Sequence, residues 1–380
     1  MIYIRNIAVV TGSRAEWGYV KPIILELMNR IDTNPQIVVT GMHLSEKYGM
    51  TVNEIPYNIY TKVKCIEGNG DTPYHTAKYA SNCLDGMIET FKKMKPDIIL
   101  VSGDRPEMLM AATAGVYMNI PVAHIQGGEI SGHVDGVVRH AITKLAHLHL
   151  VSNRDAYQRL LGLGEEGFRI HISGAPHVDR LHTYIYSRKS ILHKYKLSDD
   201  RPLALAVLHP VHNEHKKSAE YMKNMLRAID LGVNIVLLYP NSDLGSTDMI
   251  KEIESFKCEE MKKFKSIPRD DYIALMKHCD VLVGNSCSGI QEAPTFGTPV
   301  VNIGTRQKGR FRGENIIDTS NDENDIRDAV IEAIFNPIYD KTQIGTDNPY
   351  GDGKASERIA ESLATVKLNN PLFKEKVMTY

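Results

Sequence analysis

The sequence predicts an α/β protein built from two Rossmann-like, doubly wound parallel sheets. Three observations predict it. Short, nearly continuous apolar runs rich in Val, Ile and Leu recur along the chain, separated by stretches whose apolar residues repeat at helical spacing. Strands apolar along their whole length are buried on both faces, as parallel sheets require. The pattern pauses around residues 175–200 and restarts, in a chain of 380 residues that exceeds what one hydrophobic core usually supports.

From the N-terminus, "RNIAVVTGS" reads as a strand and "GYVKPIILELMNR" as the helix after it. "PQIVVTGMHL" is the next strand, and "TAKYASNCLDGMIETFKKM" a long helix. "PDIILVSGD", "PVAHIQGG" and "LHLVSN" follow as strands, with helices over "PEMLMAATAGVYMN" and "VVRHAITKLAH" between them. After the polar interruption, "PLALAVLHP", "VNIVLLYPN", "FKSIP", "DVLVGNS" and "PVVNIGT" form a second series. The expected division is an N-terminal domain over 1–174, a C-terminal domain over 175–362, and a tail over 363–380 placed against the first domain. "GKASERIAESLATVKL" supplies one more amphipathic helix near that end.

Composition narrows the function classes. The 45 basic and 46 acidic residues are interspersed, with a net charge of −1, so no basic stripe invites nucleic acid. No apolar run reaches the roughly 18 residues needed to span a bilayer, and the first residues read as a strand rather than a signal peptide. A cytoplasmic protein with neither nucleic-acid nor membrane partner is expected. Five cysteines form no CxxC pair, which signals neither zinc nor a disulfide framework; each reads as a small buried residue. No HxH, HExxH or paired-Asp spacing suggests a metal.

Ligands of parallel sheets bind at the carboxyl ends of the strands, and the polar clusters fall there: "TGSRAEWG", "SGDRPE", "HIQGGE", "LHPVHNE", "YPNSD", "GNSCSG" and "GTRQKGR". Loops of both domains contribute, which puts the expected site in the cleft between them. "GNSCSGIQE" is expected to open a helix whose N–H groups from Ser286 to Ile290 suit an anion. Glu292, in its first turns, would repel phosphate and suits paired hydroxyls such as those of a ribose. Arg306 offers a planar fork for a diphosphate, and Arg14 a second; the alternative for Arg14 is a loop pair with Glu16. "SGDRPE" supplies Asp104 and Arg105, and "HIQGGEISGHVD" supplies His124, Glu129 and Asp135. Carboxylates converging from neighbouring loops can hold different protonation states, as separate acid and base roles require; Asp135 can also merely cap the helix after it. His209, at a strand end, can bind phosphate or carry a proton. His140, His147 and His149 read as packing or surface residues, and His212 and His215 run on into a helix.

Together, "TGSRAEWGYVKPI", "GMHLSEKYGMT", the stretch from "GDRPEMLMAA" to "RHAITKLAHLH", "LHPV", "YPNSDLGS", "GNSCSGIQEAPTFGTPVVNIGTRQKGR" and "YGDGKASERI" resemble the hydrolysing UDP-N-acetylglucosamine 2-epimerases of sialic acid biosynthesis, from about residue 4 to about residue 362. The resemblance implies the fold of B-type glycosyltransferases and conversion of UDP-N-acetylglucosamine and water into N-acetylmannosamine and UDP. The implied route is elimination then hydration, with no metal or redox cofactor. It implies UDP-binding roles for Arg14, Arg105, His209, Asn241, Ser286, Glu292 and Arg306, a uracil contact for the backbone of Ile267, and catalysis by Asp104 and Asp135. A homodimer or homotetramer is in keeping with such a family.

The chain departs from that pattern at Gln126, where the family reads "HIEG" and this sequence "HIQG". An amide is no base near neutral pH. Three readings follow: Asp104, Asp135, Glu129 or His209 carries the proton transfers; the amide bonds an extra N-acetyl group on a different substrate; or catalysis is lost. Glu16 for aspartate and Cys287 for serine are milder departures. The alternatives are therefore the same reaction on UDP-2,4-diacetamido-2,4,6-trideoxyglucose on the way to legionaminic acid, a glycosyltransferase, and a nucleotide-sugar-binding protein without turnover.

Overall fold

The computed structural model describes residues 3–46, 49–55, 60–63, 73–130, 134–179, 181, 186–241, 243–339, 341 and 347–377. The chain divides into two compact units: Met1–Glu129 with Val134–Asp179 and Tyr350–Tyr380, and Ile130–His133 with Arg180–Pro349.

The first unit holds a seven-stranded sheet in the order β3-β2-β1-β4-β5-β6-β7. Its strands are β1 (Arg5–Thr11), β2 (Thr33–Val39), β3 (Tyr60–Lys62), β4 (Ile98–Ser102), β5 (Val122–Ile125), β6 (Leu148–Val151) and β7 (Ile170–Ile172). Every pairing is parallel. The helices between them are α1 (Arg14–Met28), α2 (Pro73–Met94), α3 (Pro106–Tyr117), α4 (Val134–Leu145) and α5 (Arg154–Gly162). The pleat explains the apolar runs. Ile7 and Val9 of β1 face one core with Trp17, Val20, Ile24 and Leu27 of α1, whereas Ala8 and Val10 face the other with Met87, Met108 and Ile142. Alternate residues of one strand are thus buried on opposite sides, so no polar position survives between them.

The second unit repeats the order in six parallel strands, β10-β9-β8-β11-β12-β13. These are β8 (Leu203–Val207), β9 (Asn234–Leu238), β10 (Met261–Phe264), β11 (Val281–Gly284), β12 (Val300–Ile303) and β13 (Ile316–Thr319). With them go α6 (Arg188–Lys194), α7 (Ser218–Ala228), α8 (Ser246–Ser255), α9 (Arg269–His278), α10 (Cys287–Gln291) and α11 (Glu323–Phe335). The two last helices, α12 (Ala355–Thr365) and α13 (Pro371–Lys374), belong to the first unit.

The expected division at 174/175 and 362 differs from this one at both ends, because long-range contacts draw 175–179 and all of α12 to the first sheet. Ile359, Ala360 and Leu363 enter the core behind α1. The Asp179 carboxylate accepts the N–H groups of Ala355 and Ser356, at 3.0 and 2.6 Å, and so caps α12. Beyond it, the buried Arg169 guanidinium donates to the carbonyls of Phe373 (2.7 Å) and Glu375 (3.0 Å), and Lys376 Nζ lies 2.6 Å from Glu165.

Candidate active site

Strand order sets where a ligand binds in each unit. In both sheets the order reverses beside the first strand, between β1 and β4 and between β8 and β11, and loops diverging there leave a crevice at the carboxyl ends. Gly284 makes the second of these possible. Its φ is +137°, and a Cβ at that position would lie 1.9 Å from the Val207 carbonyl oxygen of the neighbouring strand.

In the first unit, Asp104 sits in the turn after β4, where the Arg139 guanidinium pairs with its carboxylate. Arg139, almost wholly buried on α4, also donates to the Glu129 carbonyl at 2.8 Å. One cation therefore ties together the loops after β4 and β5. His124 does the same from β5. Its Nε2–H donates to the Gly103 carbonyl at 2.8 Å, and burial drives its pKa down to about 3, so the ring is neutral and structural. Glu129 is buried and accepts the Ser152 hydroxyl at 2.6 Å. Gln126, also buried, adopts a left-handed φ of +63°, a conformation that costs a non-glycine residue about 1 kcal/mol. Its amide oxygen lies beside Gly103, 3.6 Å from where a Cβ would stand. Strain of this kind, held in place by the surrounding structure, is common at functional sites. Asp135 lies in the first turn of α4, and its side chain is outside the described residues. Arg14 Nε pairs with Glu54 at 2.9 Å, while Glu16 turns to the Gly12 N–H at 2.6 Å; the expected alternative, an Arg14–Glu16 pair, gives way to these. Arg105 lies beside Glu107, at 3.5 Å.

In the second unit, His209 is clamped by Asn285. The Asn285 side-chain oxygen Oδ1 accepts the His209 backbone N–H at 2.7 Å, and its Nδ2 donates to the His209 backbone carbonyl at 2.8 Å. The Asn241 N–H donates to His209 Nδ1 at 3.0 Å, which leaves the proton on Nε2. Burial, aided by the positive charge of Arg306, pushes the ring down to about 3. His209 is thus a neutral ring that carries its proton on Nε2. The helix expected after "GNS" is only five residues long, and Glu292 stands at its C-terminal end, not in its first turns. The buried Glu292 carboxylate is forked by Arg269 of α9, one bond measuring 3.2 Å. Ser286 caps α10, its hydroxyl accepting the Ser288 backbone N–H at 3.4 Å and the Ser288 hydroxyl at 3.0 Å. Arg306 Nη1 donates to the Asn285 backbone carbonyl at 3.1 Å, and its buried Nε has no hydrogen-bond partner among the described residues. Ile267 is buried; Cys83 and Cys279 are buried as expected, whereas Cys287 and Cys258 are half-buried, Cys258 packing at the margin of the second unit's core, and Cys65 lies outside the described residues.

Arg139, Asn285 and Arg269 are site residues that sequence reasoning passed over. Arg139 stands four residues after Asp135 in α4, a helical spacing that was the signal in the sequence. The other two are read only from their partners. Among the described residues no group of His, Cys, Asp or Glu has the arrangement of a metal site, and no helix is long and apolar enough to cross a membrane.

Known proteins are similar to this chain along nearly its whole length. The family model for UDP-N-acetylglucosamine 2-epimerase matches residues 25–364. A UDP-N,N'-diacetylbacillosamine 2-epimerase (hydrolyzing) of Legionella pneumophila is 37% identical over 375 residues, covering 97% of this chain and 98% of its own. A UDP-N-acetylglucosamine 2-epimerase of Neisseria meningitidis serogroup B is 33% identical, with 97% and 96% covered. In fold, the chain is similar to the crystal structure of UDP-GlcNAc 2-epimerase from Neisseria meningitidis bound to UDP-GlcNAc, with a TM-score of 0.80 at 20% identity over 95% of this chain and 100% of that one. The chain belongs to the UDP-N-acetylglucosamine 2-epimerase family.

Proposed function

We propose that the protein is a hydrolysing 2-epimerase, converting a UDP-2-acetamido sugar and water into UDP and the free 2-epimeric sugar. The observation that carries this reading is the Asp104 carboxylate, held by Arg139 between the loops after β4 and β5 in a chain of this family. A base takes the C2 proton while the C1–O bond breaks and its electron pair leaves with UDP. The resulting glycal adds water, oxygen to C1 and a proton to C2 from the opposite face, which inverts that centre. Asp104 and Asp135 are the residues we assign to these two transfers, with Glu129 the reserve carboxylate. Arg14, Arg105, Asn241, Ile267, Ser286, Cys287, Glu292 and Arg306 are assigned to UDP. His209, neutral and protonated on Nε2, supplies a hydrogen bond to the departing phosphate rather than a proton shuttle.

Of two substrates, we favour UDP-2,4-diacetamido-2,4,6-trideoxyglucose, the diacetylbacillosamine nucleotide, over UDP-N-acetylglucosamine. Gln126 supports the choice: a buried amide held in a strained backbone both donates and accepts, as a second N-acetyl group requires. The name of the Legionella pneumophila relative agrees with it. The test is proton NMR in deuterated water with each nucleotide sugar. Release of UDP with a 2-epimeric product deuterated at C2 is the expected result. Faster turnover of the diacetamido sugar supports the preference, and faster turnover of UDP-N-acetylglucosamine reverses it. UDP bound with no turnover of either would make this a binding protein.

A further inference from the structure

Two glutamates that the reaction does not use meet where α1 and α3 begin, on either side of the β1/β4 crevice. Glu16, in the first turn of α1, is 4% exposed, and Glu107, in the first turn of α3, is 1% exposed. One oxygen of each is occupied. Glu16 Oε2 accepts the Gly12 N–H at 2.6 Å, and Glu107 Oε1 accepts the Tyr79 hydroxyl at 2.7 Å. The other two, Glu16 Oε1 and Glu107 Oε2, are buried and have no hydrogen bond among the described residues, the Arg105 guanidinium standing 3.5 Å from Glu107 Oε2. A Cβ built on Gly12 would lie 3.2 Å from the Glu16 carboxylate and 3.3 Å from the Glu107 carboxyl carbon, so both flank one small space. Gly41 closes it: a Cβ there would come within 2.6 Å of Glu107 Oε1 and 2.8 Å of the Gly12 carbonyl.

Two buried carboxylates this close cannot both stay charged. A single proton would resolve the arrangement: carried on Glu16 Oε1 and shared toward Glu107 Oε2, it would give both oxygens a hydrogen-bond partner. The one remaining negative charge then faces the Arg105 guanidinium, 3.5 Å from Glu107 Oε2. We infer that Glu16 and Glu107 share one proton and, as an acid–carboxylate pair, position Arg105 for the anionic half of the substrate. The positioning role rests on the assignment of Arg105 to UDP made above.

Groups facing the pair come from every neighbouring element. They are Tyr79 of α2, Asp104 and Arg105 of the turn before α3, and His43 of the 41–44 turn. Burial holds His43 neutral, with its pKa down to about 4. Burial first, then the charge of Glu107, pushes Glu16 up to about 8, with Arg105 and the Gly12 N–H acting in the opposite direction. Above that value a second negative charge appears behind Arg105 and draws the guanidinium inward, away from a phosphate.

The test combines infrared spectra of the carboxyl region with calorimetry of UDP binding at about pH 7 and about pH 9, on either side of the value near 8. The wild type is expected to show a protonated-carboxyl band that disappears across this range, and UDP affinity that falls about tenfold. In E16Q the band is expected to be missing and affinity to change by less than about twofold. In E107Q the band is expected to titrate at lower pH, since Glu16 no longer faces a carboxylate. No titrating band in the wild type, or an E16Q protein with the wild-type pH dependence, overturns the shared proton. If R105A binds UDP as well as the wild type while the band still titrates, the role of Arg105 is overturned and the shared proton stands.

Discussion

The guanidinium of Arg139 grips the Asp104 carboxylate and, with its other nitrogen, the carbonyl of Glu129 at 2.8 Å. These residues come from a helix and two different loops, so one side chain sets the spacing of the candidate acid–base groups. R139A is therefore expected to cost about 2 kcal/mol of stability, less than a wholly buried pair because Asp104 is partly exposed. Turnover is expected to fall roughly 100-fold, as for D104N, with UDP still bound. Thermal unfolding and steady-state kinetics check both; D104N at near-normal turnover would remove Asp104 from the mechanism.

His209 leads to a prediction about pH. Its ring is neutral down to about pH 3 and donates through Nε2. Turnover should consequently show no limb near pH 6.5 that H209A abolishes, while H209A should weaken UDP binding about tenfold. A pH–rate profile of wild type and variant, beside calorimetry, decides it.

Stability should decline toward both acid and alkali for identifiable reasons. His43, His124, His147 and His209 are depressed by burial to about 4, 3, 4 and 3. Unfolding lets each take up a proton below about 6.5, so the stabilisation they contribute above that value is lost as pH falls through the folded values. Glu16 works in the other direction. Its raised value means the folded state holds a proton the unfolded chain releases above about 4.5, so stability from this group is lost as pH climbs toward about 8. Melting temperatures measured across pH should be higher for E16Q than for wild type above about pH 8; identical curves would contradict the shift.

Gly284 allows no side chain, with the Val207 carbonyl 1.9 Å from its Cβ position. G284A is expected to destabilise the second unit by more than about 3 kcal/mol, by forcing β11 from β8 and adding a left-handed φ penalty. Unfolding followed by circular dichroism would show it.

Truncation after Asn369 removes the carbonyls that Arg169 bonds and the Lys376 ammonium beside Glu165. Leaving that cation and carboxylate under-satisfied should lower the melting temperature of the first unit by several degrees, measurable by calorimetry.

The alternation of strands and helices was legible in the sequence, because burial on both faces of a parallel sheet makes each strand an unbroken apolar run. So was the clustering of polar residues at strand ends, the place such sheets leave open. Runs of three or four residues were not legible as edge strands: β3, β7 and β13 are too short, or too polar, for either period to register, and β10, at Met261–Phe264, shares only Phe264 with the strand expected over 264–268. The return of α12 to the first unit also lay beyond local pattern, since its apolar stripe states that a face is buried and not against which sheet. Pairing between side chains came from the fold alone. Arg139 finds Asp104 across 35 residues, Asn285 clamps His209 across 76, and Arg269 takes the carboxylate of Glu292. Periodicity reports how a residue faces its own element, but charge pairing, tautomer and a shared proton depend on which strand ends the sheet order makes neighbours. Local pattern was thus enough for the fold class and for the strand-end loops where the candidate groups lie, whereas the neutral state of buried His124 and His209 required the folded neighbours that surround them.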